Sequence, residues 1–149
     1  MKLMTTGGAG FIGSNFIRYI LKKHPQYKIL NVDKLTYAGN IDNLKDVELK
    51  PNYRFIRADI CNEKKIGGIM RGCDAVINFA AETHVDRSIH SSRDFLHTNL
   101  LGTRVLLEAA RRHGLRRFLQ VSTDEVYGSI LKGSFSEESP LCPNSPYAS

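Results

Sequence analysis

Two rhythms of apolar and polar positions alternate along the chain. Short apolar runs at Lys2–Thr5, Lys28–Val32, Tyr53–Ile56, Asp74–Phe79 and Arg117–Ser122 have the length and composition of buried strands. Between them the period lengthens to that of a helix. Over Phe11–Lys23 it places Phe16, Ile17, Ile20 and Leu21 on one face, and over Ser92–Arg112 it runs through Leu96, Leu100, Leu107 and Ala110. A weaker helix is predicted at Glu63–Arg71, where Gly67 and Gly68 work against it. His84, Asp86 and Arg87 fall in a polar loop after the fourth strand, and 128–146, with Pro140, Pro143 and Pro146, reads as another loop. Strands separated by helices imply right-handed crossovers. The expected fold class is therefore α/β, a doubly wound parallel sheet with helices on both faces.

The first strand runs into Thr6-Gly7-Gly8-Ala9-Gly10-Phe11-Ile12-Gly13 and then directly into the first helix. Gly7, Gly10 and Gly13 share one spacing, and Gly8, Gly10 and Gly13 share another. Such a turn lets the backbone approach a pyrophosphate closely while the helix N-terminus offers free N–H groups to the anion. A second strand ends at Asp33, twenty residues beyond Gly13. That context of strand, turn, helix, strand and acid is what a Rossmann-type dinucleotide site requires. A carboxylate at Asp33 accepts from ribose hydroxyls and repels a 2′-phosphate, which favours NAD over NADP. Lys34 works the other way, since its ammonium is placed to attract such a phosphate. Asp59-Ile60 after the third strand suits an adenine edge and face, and Ala80-Ala81 after the fourth leaves room for a flat cofactor.

Composition narrows the picture without changing it. The chain has 149 residues, enough for one domain, and a formal charge of +6. The densest basic cluster, Arg111, Arg112, His113, Arg116 and Arg117, ends a predicted helix, where cations complement the helix dipole, so no nucleic acid is expected as partner. No apolar run is long enough for a transmembrane helix and no signal-peptide pattern opens the chain, so a cytoplasmic protein without a membrane partner is expected. Cys61, Cys73 and Cys142 are odd in number and lack paired spacing, which implies neither a disulfide framework nor a metal.

Three longer stretches carry a resemblance. They are Asp33-Lys34-Leu35-Thr36-Tyr37-Ala38-Gly39-Asn40, Ala80-Ala81-Glu82-Thr83-His84-Val85-Asp86-Arg87-Ser88 and Val121-Ser122-Thr123-Asp124-Glu125-Val126-Tyr127-Gly128. With the glycine turn they make the chain similar to the extended short-chain dehydrogenase/reductase family, and within it to dehydratases of dTDP-glucose. The similarity spans essentially all of the chain; Thr5 stands where the family's first strand is usually apolar.

The resemblance implies NAD held by Gly7, Gly10, Phe11, Ile12, Gly13, Asp33, Lys34, Thr36, Asp59, Ile60, Ala80, Ala81 and Thr98, with Thr83 near the sugar. It implies dTDP-glucose, or a similar nucleotide sugar, as substrate. Catalytic roles fall on Thr123 and Tyr147 at the C4 hydroxyl, Asp124 as acid toward the C6 hydroxyl and Glu125 as base toward C5. Tyr147 would open a Tyr-x-x-x-Lys motif whose lysine lies two positions past Ser149, so the chain is expected to be an incomplete NAD-binding domain, inactive alone and lacking a substrate domain. A homodimer through the Ser92–Arg112 helix and the helix expected after Ser149 is also implied. The alternatives are another nucleotide-sugar epimerase or dehydratase, with Asp124-Glu125 arguing against the epimerase, and a non-catalytic dinucleotide-binding module.

Overall fold

The computed structural model describes residues Met1–Ser149. Five strands form one sheet: β1 (Lys2–Thr6), β2 (Lys28–Asp33), β3 (Tyr53–Arg57), β4 (Ala75–Asn78) and β5 (Arg117–Gln120). Their order is β3-β2-β1-β4-β5 and every neighbouring pair is parallel. The chain therefore reverses its direction of growth between β1 and β4. In open parallel sheets, the crevice at the carboxyl ends of such a strand pair is where ligands bind.

Alternation along the strands sends side chains to two cores. One face packs Leu3, Ile29 and Ala75 against Ile17 and Leu21 of α1 (Phe11–Lys23), and against Leu44 from the short 3-10 turn Ile41–Leu44. Phe16 and Ile20 complete that helix face, partly buried against it. The other face packs Met4, Val32 and Val76 against Ile66 and Met70 of α2 (Glu63–Met70) and against Val105, Leu106 and Ala109 further on. The α2 helix forms despite Gly67 and Gly68. Ile66 and Met70 are fully buried and Asn62 caps it through the Lys65 amide. Thr5 is fully buried on the α1 face, and its hydroxyl has no partner.

Two expectations need correction. The segment holding His84, Asp86 and Arg87 is a helix, α3 (Val85–His90), rather than a loop. It buries only Ser88, so it lacks the apolar periodicity that marks a helix in sequence. The long helix expected over Ser92–Arg112 is helical almost throughout, but it is built from α4 (Arg93–Phe95), a π-helical stretch Leu96–Gly102 and α5 (Thr103–Arg112). It buries Gly102, Val105, Leu106, Ala109 and Ala110, while Leu96, Leu100 and Leu107 are exposed. The wider i→i+5 turn rotates the residues before Thr103 relative to those after it, so a stripe drawn at 3.6 residues per turn crosses from one face to another. Arg111 and Arg112 do lie in the last turn of α5, next to its carbonyl end.

Candidate active site

Where β1 and β4 part, a cleft of about 340 Å³ opens. Its floor is the glycine turn. Gly7 has φ +67°, and a Cβ there would stand 2.5 Å from the Ala80 amide nitrogen and 2.6 Å from the Phe79 carbonyl carbon. The turn thus needs glycine both for its left-handed backbone and for its contact with the strand beside it. The first turn of α1 carries no acid, and its N-cap, Gly10, has no side chain to offer. The amides at that end have no side-chain acceptor, which leaves them for an anion. Phe11 and Ile12, at 82% and 61% exposure, stand apolar and open at the same place.

Asp33 closes one side. It is buried, and its two oxygens accept the Ala9 amide at 2.9 Å and the Leu35 amide at 2.8 Å. The second of these bonds accompanies a left-handed Leu35, with φ 59°, a conformation a branched side chain adopts only at an energetic cost. The 3-10 turn braces the same loop from outside. Asn43 donates its side-chain amide to the Ala9 carbonyl at 2.9 Å, and the Asn40 backbone amide donates to that carbonyl at 3.1 Å.

Lys34 does not reach out for a phosphate. Its ammonium lies 2.7 Å from Asp59 Oδ2, and this contact raises the lysine above its ordinary value. Burial works against the charged form of Asp59, but the Lys34 ammonium and the Cys61 amide outweigh it and hold the carboxyl below the usual range. Burial and the Asp59 charge push the neighbouring Cys61 thiol up to about 11. Asp59 and Ile60 line the cleft at this end, opposite Thr98 of the π-helical stretch.

Every residue expected to contact a cofactor lines this one cleft: Gly7, Gly10, Phe11, Ile12, Gly13, Asp33, Lys34, Thr36, Asp59, Ile60, Ala80, Ala81 and Thr98. Thr83 and Tyr147 line it as well. Tyr147 is held edge-on to Phe95 at 6.3 Å between ring centroids, and Ala148 behind it is buried. Thr123, Asp124 and Glu125 are not part of the lining, although Val121 and Ser122 just before them are. They form a local cluster. The Thr123 hydroxyl accepts the Glu125 amide at 3.3 Å, capping the 3-10 turn Asp124–Tyr127, and lies 3.5 Å from a carboxylate oxygen of both Asp124 and Glu125. Asp124 is exposed and Glu125 half-buried, so adjacent acids occupy different surroundings.

Some of the site escapes sequence reasoning. Glu82 and Ser122 also line the cleft. The Asn99 side chain brackets Glu82, accepting its amide at 2.8 Å and donating to its carbonyl at 2.9 Å. Tyr37, in the loop after β2, packs against the start of α3, with the Arg87 guanidinium 4.8 Å above its ring and the His84 ring at 5.4 Å. Burial, then the Glu82 charge, raises the Tyr37 phenol. Asn43 and Tyr37 are polar or exposed residues whose partners are distant in sequence. No local spacing announces them.

Solved structures share this fold. The dTDP-glucose 4,6-dehydratase DesIV of Streptomyces venezuelae, solved with NAD bound, superposes with a TM-score of 0.95 at 50% identity, over 99% of this chain and 47% of that one. The UDP-Glc/GlcNAc 4-epimerase of Campylobacter jejuni matches with a TM-score of 0.91 at 29% identity, over 99% of this chain and 44% of that one. In sequence, the dTDP-glucose 4,6-dehydratase of Streptomyces niveus is 53% identical across 99% of this chain and 45% of its own length. The chain thus spans about half the length of the curated relatives it matches. A glycine turn at the sheet's switch point, an acid ending β2 and the Thr-Asp-Glu turn after β5 are what the match over residues 4–149 encloses, and by that match the chain belongs to the GDP-mannose 4,6 dehydratase family.

Proposed function

We propose that this chain is the NAD-holding part of a nucleotide-sugar 4,6-dehydratase that converts dTDP-glucose to dTDP-4-keto-6-deoxyglucose and water. One observation carries the reading. Tyr147 lines the cleft built on the glycine turn, and the Thr123 hydroxyl, one residue past Ser122 of that lining, lies 3.5 Å from a carboxylate oxygen of both Asp124 and Glu125.

The cleft fits NAD. The close approach of Gly7 to Ala80 leaves backbone where a side chain would block a pyrophosphate, and the uncapped end of α1 faces that anion. Asp33 keeps acceptor capacity for ribose hydroxyls beyond its two amide bonds, and the engagement of Lys34 with Asp59 leaves a 2′-phosphate facing a carboxylate. When bound, NAD supplies the oxidising equivalent that makes C4 a ketone and the reducing equivalent that later saturates C6. The chain's own residues handle the protons. Tyr147, as phenolate, takes the C4 hydroxyl proton, and Thr123 holds the same oxygen. A ketone at C4 acidifies the C5 hydrogen, which Glu125 removes. Asp124 protonates the C6 hydroxyl, which leaves as water. Thr83 sits beside the sugar. The chain spans about half the length of the curated relatives it matches, so turnover is expected of the full-length protein and not of these 149 residues alone. Leu96 and Leu100 stand exposed on the π-helical stretch of the longest helical run, and a second copy packs there to make a homodimer.

The full-length protein, incubated with NAD and dTDP-glucose in deuterated water, tests this. A product lighter by one water and carrying solvent deuterium at C5 is expected. A product of unchanged composition inverted at C4 would mark an epimerase, and no product would leave a dinucleotide-binding module.

A further inference from the structure

We propose that Asp59, Cys61 and His97 form a site for a thiophilic divalent cation of the zinc class, and that this cation and a dinucleotide exclude one another. Asp59 and Cys61 come from the turn after β3, and His97 from the π-helical stretch. A carboxylate oxygen, the Cys61 sulfur and a His97 ring nitrogen all lie within 4.8 Å of one another. The distance from Cys61 Sγ to His97 Nδ1 is 3.4 Å. Tetrahedral zinc, with Zn–S at about 2.3 Å and Zn–N at about 2.0–2.1 Å, requires an S···N edge of about 3.5 Å. That edge already has ligating length.

Two features hold it there. The Cys61 amide donates to Asp59 Oδ1 at 2.9 Å, which keeps the carboxylate over its own turn. Gly102 lets the helix approach, since a Cβ at that position would fall within the Ile60 side chain and 3.4 Å from Cys61 Sγ. A donor set of one sulfur, one imidazole nitrogen and one carboxylate oxygen selects zinc, cobalt or cadmium over magnesium and calcium, with water completing the tetrahedron. The Cys61 thiol now donates to the His97 carbonyl at 3.1 Å. On binding, that proton passes to solvent, the thiolate bonds the cation, and Asp59 exchanges the Lys34 ammonium at 2.7 Å for the metal. The cation therefore takes from the cleft a carboxylate that lines it and displaces a lysine that lines it too. This second half rests on the reading of the cleft as a dinucleotide site.

Cobalt(II), titrated into the full-length protein with a non-coordinating reductant, tests the site directly. One equivalent should give a thiolate-to-cobalt charge-transfer band in the near ultraviolet. Cys61→Ser should abolish the band, and Cys142→Ser, at an exposed thiol outside the cluster, should keep it. His97→Ala, at an exposed position, should weaken cobalt binding by about tenfold or more. No band in the wild type, or an undiminished band in Cys61→Ser, would overturn the site. NAD added to the cobalt-loaded protein should bleach the band, and zinc should weaken NAD binding in the wild type and not in Cys61→Ser. A band that persists while NAD binds would overturn the exclusion. Failure of NAD to bind the metal-free protein would instead count against the cofactor reading, and the cobalt titration would still decide the cation site.

Discussion

The Asp33 carboxylate accepts the Ala9 amide across 2.9 Å, so the acid that ends β2 also fastens the glycine turn that follows β1. The residue proposed to hold a ribose thus also shapes the turn proposed to hold a phosphate. Asp33→Ala removes the acceptor for two buried or half-buried amides, those of Ala9 and Leu35, and should destabilise the protein by about 1–3 kcal/mol. It should also weaken NAD and narrow the preference for NAD over NADP, since the repulsive charge is gone. Asp33→Asn separates the two effects. It keeps a carbonyl acceptor for one amide but no negative charge, so stability should recover in part while the cofactor preference stays narrowed. Denaturant midpoints and titrations with both cofactors check this; an unaltered preference in Asp33→Asn would remove the charge argument.

The pair formed by Lys34 and Asp59 makes a prediction about acid. The native state holds Asp59 below its ordinary value, so it binds fewer protons there than the unfolded chain does. Its contribution to stability is present above about pH 4 and is lost as pH falls through the lower native value. Lys34 has the opposite sign, being raised by Asp59; its contribution is full below about pH 10 and is lost as pH rises through the native value. Both side chains are partly exposed, at 53% and 28%, so the pair contributes about 0.2–1 kcal/mol. In Lys34→Met the burial of Asp59 loses its main opponent, and the Asp59 midpoint should rise. Carbon NMR titration of the carboxyl in both proteins measures it.

How much of this was legible in the sequence depends on how local each cause is. The glycine turn, Asp33 and the five strands are written in contiguous residues, and the structure places them within a residue or two of expectation. The helical run before β5 carries apolar residues on more than one side. Of the stripe through Leu96, Leu100, Leu107 and Ala110 only Ala110 is buried, and it meets the sheet beside Val105, Leu106 and Ala109; the π-helical stretch shifts the residues before Thr103 against those after it. The α3 helix was missed because a helix that buries a single serine shows no period. The ties from Lys34 to Asp59 and from Cys61 to His97 join elements distant in sequence, and no spacing rule encodes them.

Two glycines in helices should respond in opposite ways. At Gly102 an added methyl meets the Ile60 side chain, with Cγ1 only 2.6 Å away, in a buried contact between the π-helical stretch and the cleft wall. Gly102→Ala should therefore cost about 1–3 kcal/mol through overpacking and weaken NAD through displacement of Ile60. At Gly68, exposed in α2, nothing lies within 4 Å of an added methyl. Gly68→Ala should stabilise by about 0.5–1 kcal/mol through reduced freedom of the unfolded chain, with NAD binding unchanged. Thermal melts and NAD titrations of the two variants check both signs.

The last prediction separates the two acids of the Asp124–Tyr127 turn by what each does to one hydrogen. Both carboxylates lie 3.5 Å from the Thr123 hydroxyl, yet Asp124 is exposed and Glu125 half-buried. Removal of a C5 hydrogen needs a base, and departure of the C6 hydroxyl needs an acid, so replacing each should stall a different proton. In the full-length protein, Glu125→Gln should lower formation of dTDP-4-keto-6-deoxyglucose by about 10²–10⁴-fold, and substrate recovered from deuterated water should carry no deuterium at C5. Asp124→Asn should lower product formation as well, but Glu125 remains able to take and return the C5 hydrogen. Recovered substrate should then acquire deuterium at C5 faster than product appears. Thr123→Val should leave both acids in place and lose the hydroxyl that caps their turn, so it should slow oxidation at C4 and elimination together. Mass spectrometry and proton NMR of recovered substrate and product give all three outcomes. Deuterium at C5 in Glu125→Gln substrate would move the base to another residue, and equal exchange in the two acid variants would mean that the pair acts as one group.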